Sequence, residues 1–122
     1  MTAAGLAEQL RAATDPRVRW RLVREFLEEF RQEPLPHRQR LLDDRPAPVD
    51  PRWDAFLGAL VEHLVFHARL HCPEWTLEEQ RFLSAAWFLS DLPAARAAAM
   101  ETSPASFRRR GILLDRGDLD VV

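Results

Sequence analysis

The segment between Asp50 and Cys72 narrows most what this chain can fold into. Asp50-Pro51 supplies a side-chain acceptor and then a residue already set for a first helical turn. Trp53, Phe56, Leu57, Leu60, Val61, Leu64 and Ala68 then recur at three- and four-residue steps, which places them on one face. Val65 and Phe66 fall outside that face, so the second half of the helix reads as apolar nearly all round. Such a helix has to be enclosed by its own domain or by a partner. Pro73 cannot continue it, and the pattern predicts a central helix over about residues 50–72, closed by Cys72-Pro73. Its most apolar part, Ala55 to Ala68, contains Glu62, His63 and His67 and is shorter than the roughly 20 residues of a membrane helix.

The same capping logic places other helices. Asp15-Pro16 opens one whose Val18, Leu22, Val23, Phe26, Leu27 and Phe30 form a wide apolar face and which should stop near Glu33, before Pro34 and Pro36. His37 to Asp44 reads as a short helix, closed by Arg45-Pro46-Ala47-Pro48. An N-terminal helix carries only Leu6 and Leu10 as large residues. Thr76-Leu77-Glu78-Glu79 resembles a capping box for a helix from Leu77 to about Leu83. An alanine-rich helix is expected from about Pro93 to Glu101, and Ser103-Pro104 opens a last turn or two ending at Gly111. In the tail, Ile112-Leu113-Leu114 and Leu119 to Val122 flank Asp115-Arg116-Gly117-Asp118, which reads as a hairpin or as a strand followed by one helical turn. The fold class is therefore mainly α: a compact multi-helix domain around the central helix, with a short hairpin or strand at the C-terminus. The 122 residues suit a single domain over 1–122, with an N-terminal helical part at 1–45, a Pro-rich connector at 46–51 and an aromatic-rich part at 52–122.

Composition excludes several classes of function. A hydrophobic share of 47% with 30% charged residues is that of a folding globular chain rather than a disordered tail. A net charge of −2 gives no global attraction to nucleic acid, which is disfavoured as a partner. All 17 basic residues are arginine, which reads as the codon bias of a GC-rich bacterial genome. Cys72 is the only cysteine, and Glu8 and Arg11 interrupt the start where a signal peptide needs an apolar run, so a cytoplasmic location and no membrane association are expected.

No catalytic apparatus is recognisable. His63, His67 and His71 share a helix face in the predicted helix, but three imidazoles at that spacing span about 12 Å, too far to ligate one ion together. Cys72 has only His71 beside it, and neighbours on a helix diverge by roughly 100°. Ser84, Ser90, Ser103 and Ser106 lie in no nucleophile elbow, and the four glycines make no phosphate loop. The chain is read as a non-enzyme with no catalytic, cofactor or metal residues.

What remains is binding. Four tryptophans and seven phenylalanines are many for this length, and Trp75, Phe82, Trp87 and Phe88 crowd into elements too short to bury them alone. Aromatic and arginine side chains dominate interface hot spots. Phe66, Trp75, Phe82, Trp87, Phe88, Phe107, Arg108, Arg109 and Arg110 are the candidate partner-binding residues, with the arginine forks suited to an acidic surface.

The order Asp50-Pro51-Arg52-Trp53-Asp54, Trp75, Arg81-Phe82-Leu83, Trp87-Phe88 and Ser103 through Ile112 resembles the C-terminal domain of antitoxin-like helix-turn-helix regulators of GC-rich bacteria, encoded beside abortive-infection-type nucleotidyltransferases. The resemblance implies a protein-interaction module that neutralises or regulates a cognate toxin of that type. Before Asp50 there is one strong helix and a connector but no basic recognition helix, so it implies the partner-binding half alone. Two alternatives stand beside it. One is a DNA-associated transcriptional regulator using Arg17, Arg19, Arg21 and Arg24 or Arg108 to Arg110. The other is a metal-binding protein or enzyme on the His63/His67/His71 face. A homodimer through the second half of the central helix is a further arrangement open to the chain.

Overall fold

The computed structural model describes residues 1–120. The protein is mainly α-helical, with six α-helices and one two-stranded parallel pair among the described residues, and it comprises two compact units, residues 1–50 and 51–120.

In the first unit, α1 (Ala3–Ala12) is capped by Thr2, whose hydroxyl oxygen accepts from the Gly5 amide at 3.0 Å. It buries Ala3 and Ala7 as well as Leu6 and Leu10, so small residues complete the stripe and bring α1 against α2 (Pro16–Gln32). Asp15 caps α2 by accepting from the Arg17 amide at 2.9 Å, and Val23, Phe26, Leu27 and Phe30 form its buried face. Arg19 binds these pieces together: its Nε donates to the Ala13 carbonyl at 2.6 Å and the Leu10 carbonyl at 3.1 Å, and its Nη1 donates to Asp50 at 2.9 Å. The short helix expected over 37–44 starts earlier, as α3 (Leu35–Arg38), and tightens into a 3₁₀ turn at Gln39–Leu41 that buries Leu42.

The second unit is built on α4 (Pro51–Ala68), which packs against the 3₁₀ turns Glu74–Leu77 and Glu79–Arg81. α4 ends four residues ahead of Cys72. Arg69 takes a left-handed conformation, φ 56°, and the Leu70 amide donates back to the Val65 carbonyl at 2.9 Å, which satisfies one of the free carbonyls at the helix end. His71 and Cys72 therefore lie outside the helix. Its own unit encloses only part of the helix: Trp53 through Val61 are buried without interruption and Leu64 and Val65 are buried too, whereas Phe66 is 79% exposed and His67 is exposed.

Thr76 does not cap a helix. Its hydroxyl is buried and donates to the Pro73 carbonyl at 2.8 Å, a local bond that competes with helix formation and leaves two 3₁₀ turns where one helix was expected. β1 (Trp87–Phe88) follows, then α5 (Pro93–Thr102) and α6 (Ala105–Arg108), and then β2 (Ile112–Leu113), which runs parallel to β1 with Trp87 opposite Ile112 and Phe88 opposite Leu113. α6 packs on α4. Ser103 also departs from its capping role: its hydroxyl donates to the Ile112 carbonyl at 3.2 Å and so fastens β2 to the start of α6. Gly111 carries φ 81° in the turn into β2, where its carbonyl receives the Trp87 amide at 2.7 Å. The tail is a strand followed by one helical turn, Arg116–Leu119, opened by Asp115 accepting from the Gly117 amide at 3.0 Å. Val121 and Val122, the end of the expected apolar piece, lie outside the described residues. Among the described residues no helix is long and apolar enough to cross a membrane.

Candidate functional site

Two sides of α4 organise the arginines and aromatics of the second unit. On the first, Gly58 lets other groups come close: a Cβ there would meet the Arg81 Cβ at 3.0 Å, the Arg110 Nε at 3.2 Å and the Thr76 carbonyl at 3.3 Å. Arg81 and Arg110 are both fully buried at this point. Arg81 donates to the Asp54 carbonyl at 3.2 Å and stacks over Trp75, 4.8 Å from the ring centre. Arg110 donates to the Thr76 carbonyl at 2.7 Å, the Ser106 carbonyl at 3.0 Å and Glu62 at 3.1 Å, and stacks over Phe82 at 4.6 Å. Burial pulls its guanidinium below the ordinary arginine value, and Glu62 opposes that shift. The assembly is a core built on planar cations, in which carbonyls accept from the terminal guanidinium nitrogens while the Nε of Arg81 and of Arg110 is buried without an acceptor among the described residues.

The second side is an open groove of about 660 Å³ along the emerging half of α4. Val65, Phe66, Leu70, Leu77 and Pro104 give it an apolar lining, and Glu62, His63, His67, Arg109 and Arg116 supply the polar groups. Leu77 is 57% exposed, so two large apolar side chains stand uncovered there. Arg109 pairs with Glu62 and lies over Phe82 at 5.5 Å. A series of ring contacts leads outward from the core to this surface: Phe56 meets Phe107, Phe107 meets His63, His63 meets His67 at 4.3 Å between centres, and His67 meets Phe66.

The candidate contact residues are divided by this arrangement. Phe66 and Arg109 come together on the groove. Trp75, Phe107 and Arg110 are buried in the unit itself. Phe82, Trp87 and Phe88 are half-buried: Phe82 carries Arg109 and Arg110, Trp87 packs edge-on to Trp53 and carries Arg52, and Phe88 carries Arg96. Arg108 is exposed and donates to the Met100 carbonyl at 2.5 Å. The three consecutive arginines thus divide, Arg109 and Arg110 converging on Glu62 and Phe82 while Arg108 turns to the Met100 carbonyl, and they form no continuous basic stripe. Arg19 is likewise committed inside its own unit, while Arg17, Arg21 and Arg24 are exposed among Glu25 and Glu28.

Leu70, Leu77, Pro104, Ser106 and Arg116 belong to the groove without having been singled out in the sequence. Their shared location depends on the Arg69 cap and on the two 3₁₀ turns, which no periodicity announces. Cys72 also lines the groove, with its Sγ 3.2 Å from the Thr76 hydroxyl. His71 is exposed and off the helix, so the histidine series ends at His67. Among the described residues no group of three or more His, Cys, Asp or Glu is placed to hold a metal ion. Comparison with known protein families, with characterised proteins and with solved structures gives no match.

Proposed function

We propose that this chain is a protein-interaction module and that the groove along residues 62–77 is its contact surface. One observation carries the reading: Phe66 stands 79% exposed at the groove, beside the exposed Leu77. Contiguous exposed apolar surface with a polar rim is the mark of a contact site in a folded chain, and aromatic side chains beside arginine supply most binding energy in such sites. The resemblance noted for residues 50–112 favours as partner a cognate toxin of the nucleotidyltransferase type, encoded next to this chain. Binding then neutralises or regulates that protein, and this chain performs no chemistry of its own.

Co-expression with the product of the adjacent gene tests the proposal. The two proteins should co-elute, and Phe66→Ala should abolish co-elution while leaving the melting temperature of this chain unchanged. Two proteins that never co-elute, or a complex indifferent to Phe66→Ala, would overturn it.

A further inference from the structure

We infer that the groove takes an acidic amphipathic helix from the partner, with its apolar side chains against Phe66, Leu70 and Leu77 and its carboxylates against Arg109 and Arg116. This rests on the groove being the contact surface and adds the chemistry of its occupant. The first argument is charge. With histidines counted as neutral in both, the chain as a whole is net −2, yet the groove lining carries two arginines against one carboxylate. That carboxylate, Glu62, is already held by Arg109 and Arg110. Arg116 is exposed and has no ion pair among the described residues. The local sign is thus opposite to the global one, and the free cation sits beside apolar surface, as a partner with carboxylates flanking an apolar stripe requires.

Size and openness select a polypeptide. A small ligand is covered over most of its surface by its pocket, but here Phe66 and Leu77 are 79% and 57% exposed and cannot close over one. Residues 62–68 of α4 extend for roughly 9 Å, nearly two turns, which matches the reach of i, i+4, i+7 anchors on a helix laid in a groove. A second copy of this chain fits poorly. Pairing across a two-fold axis sets this patch against itself, so a patch with more arginines than carboxylates meets its own sign. Like charges so placed oppose association.

The test uses the full chain and three probes: two synthetic helical peptides with the same Leu/Phe stripe, one flanked by glutamates and one by lysines, and a short DNA duplex as an anion without an apolar stripe. Calorimetry and amide shifts report binding. The glutamate peptide should bind about tenfold or more tightly than the lysine peptide, with shifts confined to residues 62–77 and 104–116. Arg116→Glu should abolish that preference, and Phe66→Ala should remove binding of the glutamate peptide. Equal affinity for the two peptides overturns the acidic preference; tighter binding of the duplex overturns the helical occupant; absence of binding by both peptides overturns the inference altogether. Co-elution with the adjacent gene product and its sensitivity to Phe66→Ala decide the contact surface itself, so the two failures are distinguishable.

Discussion

On the Gly58 side of α4, Arg81 and Arg110 are buried, donate to backbone carbonyls and lie over Trp75 and Phe82. On the side of Phe66, Arg109 and Arg116 stand exposed around an apolar lining from which Phe66 and Leu77 project uncovered. Both sides draw on the same residue types, arginine and aromatics, and two of the arginines are adjacent in the chain. The difference lies in backbone acceptors. Where Thr76, Ser106 and Asp54 present carbonyls to a guanidinium, arginine is core material; where they do not, it stays at the surface, as Arg116 does and as Arg109 does on Glu62. The Gly58 side holds the second unit together, and the Phe66 side leaves apolar surface exposed.

The sharpest way to break this comparison is to remove the cation at the buried end. Arg110→Ala leaves the buried Thr76 and Ser106 carbonyls without their guanidinium donor and empties the space beside Phe82, and by the cost of unsatisfied buried acceptors and lost packing it should destabilise by about 3 kcal/mol, measured by urea unfolding. A loss near zero would mean that Arg110 is not part of the core. Gly58→Ala comes next. The added Cβ meets the Arg81 Cβ at 3.0 Å, so the overpacking cost of about 1–3 kcal/mol should exceed the helix-propensity gain of about 1 kcal/mol. A stabilised Gly58→Ala protein would show that Arg81 and Arg110 do not lie where described. Ser103→Ala removes the bond to the Ile112 carbonyl and should cost about 1 kcal/mol, with faster amide exchange at Trp87 and Leu89, whose amides donate to Gly111 and Leu113 around β2. Smallest in stability is Phe66→Ala, within about 0.5 kcal/mol of the parent, because the ring is already in water. A large loss of stability there would place Phe66 in the core and remove the distinction between the two sides.

Much of the helical framework is legible in the residues. Asp15-Pro16, Pro51 and Pro93 each mark a helix start, and the apolar spacing from Val23 to Phe30 coincides with the buried face of α2. What the pattern does not carry is chemistry that acts between elements. Arg69 holds a left-handed turn normally left to glycine, so α4 stops early and the histidine series is cut before His71. Thr76 and Ser103 look like caps, yet their hydroxyls serve distant or local carbonyls instead. Apolarity along α4 is greatest where Val65 and Phe66 follow Leu64, but it does not say which stretch the unit itself covers. That depends on close approach, as at Gly58, where a Cβ would meet Arg81, Arg110 and Thr76 within 3.3 Å. Aromatic and arginine character marks Phe66 and Arg109, which line the groove, but it marks the buried Arg110, Phe107 and Trp75 equally, and only acceptors and neighbours tell them apart.

The most direct test of the two-sided reading measures both sides on one sample. Phe66→Ala and Arg110→Ala are each compared with the parent for thermal midpoint and for co-elution with the adjacent gene product. Phe66→Ala should keep the parent's midpoint and lose the complex, and Arg110→Ala should lower the midpoint and retain the complex at temperatures where it remains folded. The opposite pattern, with Phe66→Ala melting early or still binding as the parent does, would contradict the assignment of the groove as the contact surface.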